Sequence, residues 1–266
     1  MTGWRAGRRF SSVSLNWMLP NMITLAGLVS GLTGLRFAME GSWAAAVAMV
    51  ALAAVFDALD GRMARLLKST SAFGAALDSL SDAVVFGIVP ALLLYLWALA
   101  GHGNIAWVTT LFFAVCVVLR LARFDSELPD QPDYTKAFFV GIPAPATALL
   151  VMVPIAAHQL YGAEWLRDAR LVSAVLVLAG IGAVSVLPTY NGKSLKLPVG
   201  AVIPVLAMLG FLGAAAVNNP WAVYLLAALA YLISFPFSVL SFRRRARLAK
   251  RQAADKVIEK AVREEV

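Results

Sequence analysis

The chain has 266 residues, of which 61% are hydrophobic and only 14% charged, with a mean hydropathy of +0.77 and a formal net charge of +8. Soluble domains carry about 25% charged residues, so this composition excludes a soluble globule and leaves little chain for a separate extramembrane domain. The single cysteine, Cys116, excludes a disulfide framework and a thiolate metal site.

The apolar residues fall into eight blocks, each near the ~20 residues that a helix needs to cross about 30 Å of hydrocarbon. The blocks are predicted at 18–38, 43–66, 73–100, 104–124, 138–160, 170–188, 198–217 and 220–241. The expected fold class is an all-α integral membrane protein with about eight transmembrane helices. Residues 1–17 read as a cytoplasmic N-terminal segment, 18–241 as the transmembrane domain and 242–266 as a basic tail. Arg5, Arg8 and Arg9 precede the first block as in a signal peptide, but no small-residue cleavage site follows Leu19 to Leu35, so the block is read as a spanning helix.

In that first block, Pro20, Asn21 and Thr24 read as a helix start with Asn21 capping it. The second and third blocks hold the unusual residues. An ionised carboxylate near the hydrocarbon core costs at least about 2.5–3.5 kcal/mol, so such groups are rare and usually functional. Here Asp57, Asp60, Asp78 and Asp82 lie within 26 residues. The first pair is three apart and the second four apart, so each pair shares a helix face, and two adjacent helices can present all four inward. Bare, these charges repel, and divalent cations relieve the repulsion. An all-oxygen set suits Mg²⁺ or Mn²⁺, two of which can clamp the attacking and leaving oxygens of a phosphoryl transfer. The absence of His and Cys from the cluster argues against zinc.

Between the pairs, Gly61 would admit a ligand to the backbone, Ala64 would keep the face shallow and Arg65 would offer a fork to phosphate oxygens. Lys68 to Ser71 read as a polar turn in which Ser71 can donate a hydrogen bond, and Gly74 would let the third helix pass close to the second. No serine, histidine or cysteine stands ready as a covalent nucleophile, so direct attack by a second substrate's hydroxyl, with a carboxylate taking its proton, is the economical mechanism. By residue type alone, the cluster fits a metal- or proton-coupled transporter as well as an enzyme.

Further along, His102 and His158 fall at the other helix ends and read as interfacial or structural, while Trp4, Trp17, Trp43, Trp97, Trp107, Trp165 and Trp221 read as an aromatic belt. With the N-terminus inside, Arg62, Arg65, Lys68, Arg120, Arg123, Lys136, Lys193, Lys196 and the tail share one side. Arg36, Arg167 and Arg170 fall on the other, the asymmetry of an even number of spans with both termini cytoplasmic. The tail from Arg243 holds nine basic and four acidic residues, five of the eight net charges. It reads as a solvated flank or as an interfacial helix attracted to anionic lipid. No basic patch interleaved with aromatics lies elsewhere, so nucleic acid is not an expected partner.

Asp57, Asp60, Gly61, Ala64, Arg65, Gly74, Asp78 and Asp82 stand in the order D-x2-D-G-x2-A-R-x8-G-x3-D-x3-D, which resembles the signature of the CDP-alcohol phosphotransferase family. The resemblance implies a six-helix membrane core, a CDP-linked lipid substrate with CMP leaving, and dependence on Mg²⁺ or Mn²⁺, with two ions expected. It makes Asp57, Asp60, Asp78 and Asp82 metal ligands, Asp82 also the base, and Asn21, Thr24, Gly61, Arg65 and Ser71 the contacts to the CDP-lipid. The runs Asp78-Ser79-Leu80-Ser81-Asp82, Leu119 to Phe124 and Gly141-Ile142-Pro143-Ala144-Pro145 resemble the phosphatidylserine synthase branch, which implies CDP-diacylglycerol and L-serine as substrates. Asp125 and Ala144 depart from that branch, where Asn and Ser are common, and leave the acceptor open. The resemblance covers about Leu15 to Leu150.

A serine site asks for a cation to meet the carboxylate, and Arg120 and Arg123, three apart on one helix face, are the candidates. Transfer to glycerol 3-phosphate or inositol phosphate, which would ask for more cations, is the alternative within the family. Membrane lipids are expected partners and a homodimer is compatible with this reading. The expected location is the cell's inner (plasma) membrane, with the active site and both termini facing the cytoplasm.

Overall fold

The computed structural model describes residues 15–126, 138–190, 200 and 202–264. Arg5, Arg8 and Arg9, and the cations Lys136, Lys193 and Lys196, lie outside the described residues. The helices are α1 (Leu15–Met39), α2 (Trp43–Leu66), α3 (Ala72–Leu99), α4 (Gly103–Ser126), α5 (Ala144–Tyr161), α6 (Ala169–Val184), α7 (Val202–Asn218) and α8 (Pro220–Glu264). Among the described residues six of them, α1 to α5 and α8, are long and apolar enough to cross a membrane. The 16-residue α6 and 17-residue α7 are shorter apolar helices. Large side chains such as Val29, Ile105, Val108, Leu178 and Leu229 are exposed. Water would penalise that surface and hydrocarbon does not, so the chain is a multi-pass membrane protein.

The core lies between α1 and α6, where Phe86, Trp97, Phe113, Met152 and Leu176 are fully enclosed. Small residues set the closest approaches, because the helices gain by packing rather than by escaping water. A Cβ on Gly34 would fall 2.9 Å from the Ala46 carbonyl of α2, and one on Gly31 would fall 2.9 Å from Val85 Cγ2 of α3. Any side chain at these two positions would push α1 off both neighbours.

Several local features differ from the sequence reading. α1 begins at Leu15, so Pro20 and Asn21 are inside the helix and Asn21 is not its cap. α3 is α-helical through Asp82, then widens into π-helical turns at Ala83–Ile88 and Tyr95–Leu99. Pro90 lacks an N–H for the regular ladder, and the Val89 N–H bonds instead to the Val84 carbonyl, five residues back. α5 breaks at Met152, ahead of Pro154.

The predicted ends at 138 and 188 are not helical but form two strands, β1 (Phe138–Val140) and β2 (Pro188–Tyr190), paired antiparallel with Phe139 opposite Thr189. Gly141, at φ +77°, and Pro143 keep β1 from running into α5, and Leu187 precedes a proline. α8 does not stop at 241. It continues unbroken to Glu264 and, at 45 residues, extends about 68 Å, so the basic tail is the outer half of a membrane helix.

Trp97 is no belt residue, being 2% exposed. Arg167 Nη2 donates to its carbonyl at 2.9 Å, and the ring of His158 packs on its indole edge-to-face at 5.7 Å.

Candidate active site

α2 and α3 form a hairpin whose turn is set by hydrogen bonds. At the end of α2 the Ser69 N–H bonds to the Ala64 carbonyl at 3.0 Å and the Lys68 N–H to the Arg65 carbonyl at 3.3 Å. This pair of bonds is a Schellman closure, and its left-handed position is taken by Lys68, at φ +49°, where glycine is usual. Two residues on, Ser71 caps α3, accepting the Gly74 N–H at 3.0 Å. The turn therefore leaves Arg65, on the last turn of α2, facing the first turn of α3.

α1 closes the third side. A cavity of about 180 Å³ lies among the three helices, lined by Asn21 and Thr24 of α1, Asp60, Gly61 and Arg65 of α2, and Ser71, Gly74 and Asp78 around the start of α3. Asn21, Thr24, Gly61, Arg65 and Ser71, all expected at a CDP-lipid site, thus share one cavity. A Cβ on Gly61 would meet only Arg65 Nη1, at an ordinary contact distance of 3.5 Å, and Gly61 borders the cavity, where a ligand is expected to approach its backbone. Gly74 has a different role from the expected one. A Cβ on Gly74 would stand 3.1 Å from Asn21 Oδ1, so this glycine admits α1 rather than α2.

Deeper in the bundle the cavity gives way to a narrow recess lined by Asp57, Asp60, Asp78 and Asp82 together with Thr24. One carboxylate oxygen from each of Asp57, Asp60 and Asp78 lies within 4.8 Å of the others. Asp82, one turn beyond Asp78, feels the charges of all three. The donor set is carboxylate oxygen alone, without imidazole or thiolate, and fits a hard divalent cation.

Asp60 is 4% exposed. Its Oδ2 lies 2.6 Å from Thr24 Oγ1, which is also 3.2 Å from the Pro20 carbonyl. A hydroxyl has one proton, and the shorter contact to the carboxylate takes it. Arg120, on α4, is buried, and its charge interacts with Asp82 and with Tyr231 of α8, whereas Arg123 is exposed. Of the two arginines, Arg120 is the buried one, and its charge reaches the recess through Asp82. Sequence reasoning missed Tyr231, which belongs to an apolar block and carries no spacing signal.

A family model described as CDP-alcohol phosphatidyltransferase matches residues 17–187. The chain is similar to the CDP-diacylglycerol–serine O-phosphatidyltransferase of Mycobacterium tuberculosis, at 38% identity over 91% of this chain and 84% of that protein. It is similar to the proteins of the same name from Helicobacter pylori, at 31% identity over 73% of this chain and 80% of that one, and from Methanocaldococcus jannaschii, at 32% identity over 66% and 76%.

Replacing Thr24 by Val removes the hydroxyl donor from a buried carboxylate while keeping the side chain's shape. The expected result is a loss of about 1.5–3 kcal/mol in thermal or denaturant unfolding of the metal-free protein, with Thr24→Ser retaining most of the stability.

Proposed function

The chain belongs to the CDP-alcohol phosphatidyltransferase family, and from that premise we propose that it moves the phosphatidyl group of CDP-diacylglycerol to the hydroxyl of L-serine, giving phosphatidylserine and CMP. The observation that carries this reading is the convergence of Asp57, Asp60 and Asp78 within 4.8 Å, at the edge of a cavity that also holds Gly61, Arg65 and Ser71. The names of the relatives support serine as acceptor, and so does Arg120, the one buried arginine among the described residues, whose charge acts on Asp82.

In this mechanism the CDP moiety lies in the cavity against Asn21, Thr24 and Gly61, with Arg65 and Ser71 meeting its oxygens. Asp57, Asp60, Asp78 and Asp82 would hold Mg²⁺ or Mn²⁺, two ions in our reading, whose charge offsets that of the diphosphate. Arg120 takes the serine carboxylate and so brings the serine hydroxyl to Asp82. Asp82 removes the hydroxyl proton as the oxygen attacks the phosphorus that bears diacylglycerol. The bond from that phosphorus to the CMP oxygen breaks, CMP leaves with the bonding electrons, and Asp82 later yields its proton to solvent.

The alternation of helices puts the α2–α3 turn, the end of α4 and the basic half of α8 at one end of the bundle. With Lys and Arg concentrated there, the active site and both termini face the cytoplasm of a cell's plasma membrane, where serine is available. At the opposite end two cations are already engaged, Arg36 with Glu40 at 2.9 Å and Arg167 with the Trp97 carbonyl. The half of α8 from residue 242 onward would project from the cytoplasmic face, its first basic residues within reach of anionic lipid.

Purified protein supplied with CDP-diacylglycerol and Mg²⁺ or Mn²⁺ should release CMP with serine, but not with glycerol 3-phosphate or inositol phosphate, and chelation should abolish the release. Equal release with all three acceptors would sink the serine assignment. Asp82→Asn should lower kcat by at least about 100-fold, while CDP-lipid binding stays measurable by titration. Arg120→Ala should raise the serine KM by about 10-fold or more with a smaller change in the lipid KM, whereas exposed Arg123→Ala should change the serine KM less; steady-state kinetics in both substrates separates these outcomes.

A further inference from the structure

Trp17 lies at the cytoplasmic end of α1, where a membrane protein is expected to carry interfacial aromatics. Its contacts are more specific than that role requires. The indole Nε1–H donates to Ser71 Oγ at 3.1 Å, across 54 residues of sequence. Its ring packs on Phe73 with centroids 5.5 Å apart, and its backbone carbonyl accepts Asn21 Nδ2 at 3.1 Å. The indole is thus held by two residues at the start of α3, Ser71 and Phe73, while Asn21 bonds only to the Trp17 backbone.

The consequence falls on Ser71. A serine hydroxyl has two acceptor positions and one proton. Ser71 Oγ receives the Gly74 N–H at 3.0 Å and the Trp17 Nε1–H at 3.1 Å, so both acceptor positions are taken. An ordinary capping serine uses only the first of these and can still turn to accept from a ligand. Among the described residues none accepts the Ser71 proton, and Ser71 lines the cavity shared with Gly61 and Arg65.

We propose that Trp17 is a positioning residue for the CDP-lipid: with the Gly74 N–H, its indole N–H makes Ser71 solely a donor and turns the Ser71 proton toward an oxygen of the bound nucleotide. The cavity then offers the anion two donors of fixed polarity, the Arg65 guanidinium and the Ser71 hydroxyl, and no lone pair from Ser71 faces it. Gly74 takes part by leaving room, since a Cβ there would stand 3.2 Å from Ser71 Oγ and 3.1 Å from Asn21 Oδ1.

This inference rests on the reading of the cavity as the CDP site, and its test separates the two. The full-length chain in lipid nanodiscs is titrated with CDP-diacylglycerol in Mn²⁺ without serine, and is then assayed with serine. Trp17→Phe keeps an aromatic ring and loses the donor. Replacing Trp17 with 3-benzothienylalanine keeps the indole shape and loses only the N–H, which guards against a folding defect in the phenylalanine variant. Each should weaken CDP-lipid binding about 3- to 10-fold and raise the lipid KM to match, with kcat and the serine KM within about 2-fold of the parent. In a Ser71→Ala background neither replacement should weaken binding further, as expected when one group acts through the other.

Unchanged affinity in both Trp17 variants overturns the proposal, as does an equal loss with and without the Ser71 hydroxyl, which would mean that the ring acts by packing alone. If Ser71→Ala leaves affinity unchanged, the proposal is likewise overturned, while the serine-dependent release of CMP by the parent chain still supports the catalytic reading. Parent protein that binds CDP-diacylglycerol but releases no CMP with serine overturns that catalytic reading, and the Trp17 binding series still decides the role of the indole.

Discussion

Like charges held together where water is scarce set the terms for the rest of this bundle. Two carboxylates 4 Å apart repel by about 4 kcal/mol at an effective dielectric of 20, and here three converge within 4.8 Å with a fourth in electrostatic range. A recess of this kind persists only if every wall supplies compensation. From α1 comes the Thr24 hydroxyl, 2.6 Å from Asp60. From α4 comes the Arg120 guanidinium, acting on Asp82. The hydroxyl arrives because α1 can come close: Gly27, one turn from Thr24, would place a Cβ 3.3 Å from Phe56 Cβ. Helix packing through small residues and neutralisation of charge are here one design, since a bulkier α1 would withdraw the donor from the acid.

The same helix that carries half the acid cluster also divides the site. α3 opens with a cap at Ser71 on the wide cavity, carries Asp78 on the boundary and Asp82 inside the recess, and leaves α geometry at the next residue. On the proposed mechanism, polar recognition belongs to the first turn and proton transfer to the last α-helical turn, while the π-helical part packs, with Val85, Phe86 and Gly87 buried. π turns favour functional sites because they re-aim side chains without ending a helix. Here they begin directly after the proposed base.

Much of this was legible in the sequence, because the forces involved are periodic. Apolar blocks of bilayer length announced the helices, and the block at 43–66 coincides with α2. Spacings of three and four put the aspartates on common faces. What escaped is aperiodic or long-range. Phe138–Val140 and Pro188–Tyr190 are apolar enough to extend a helical block, and only their pairing with one another makes them strands. Trp97 and Trp17 read alike by composition, yet one is sealed in the core and the other bonds to a serine 54 residues away. α8 passes its predicted end because nothing in Arg243 to Glu264 breaks a helix, and solubility in lipid was a poor guide to where the backbone would stop.

The residues that line the cavity run from Pro20 to Asp78, and those that line the recess from Thr24 to Phe86. Synthesis from the N-terminus therefore delivers the whole acid cluster and the adjoining cavity before α4 to α8, and contacts this local in sequence close early. Arg120 emerges later and Tyr231 later still. During biogenesis the chain thus presents an assembled cluster of carboxylates before Arg120, the cation that acts on Asp82, has been made, so whatever divalent cation the inserting hairpin meets can stabilise it while the remaining helices are still to come.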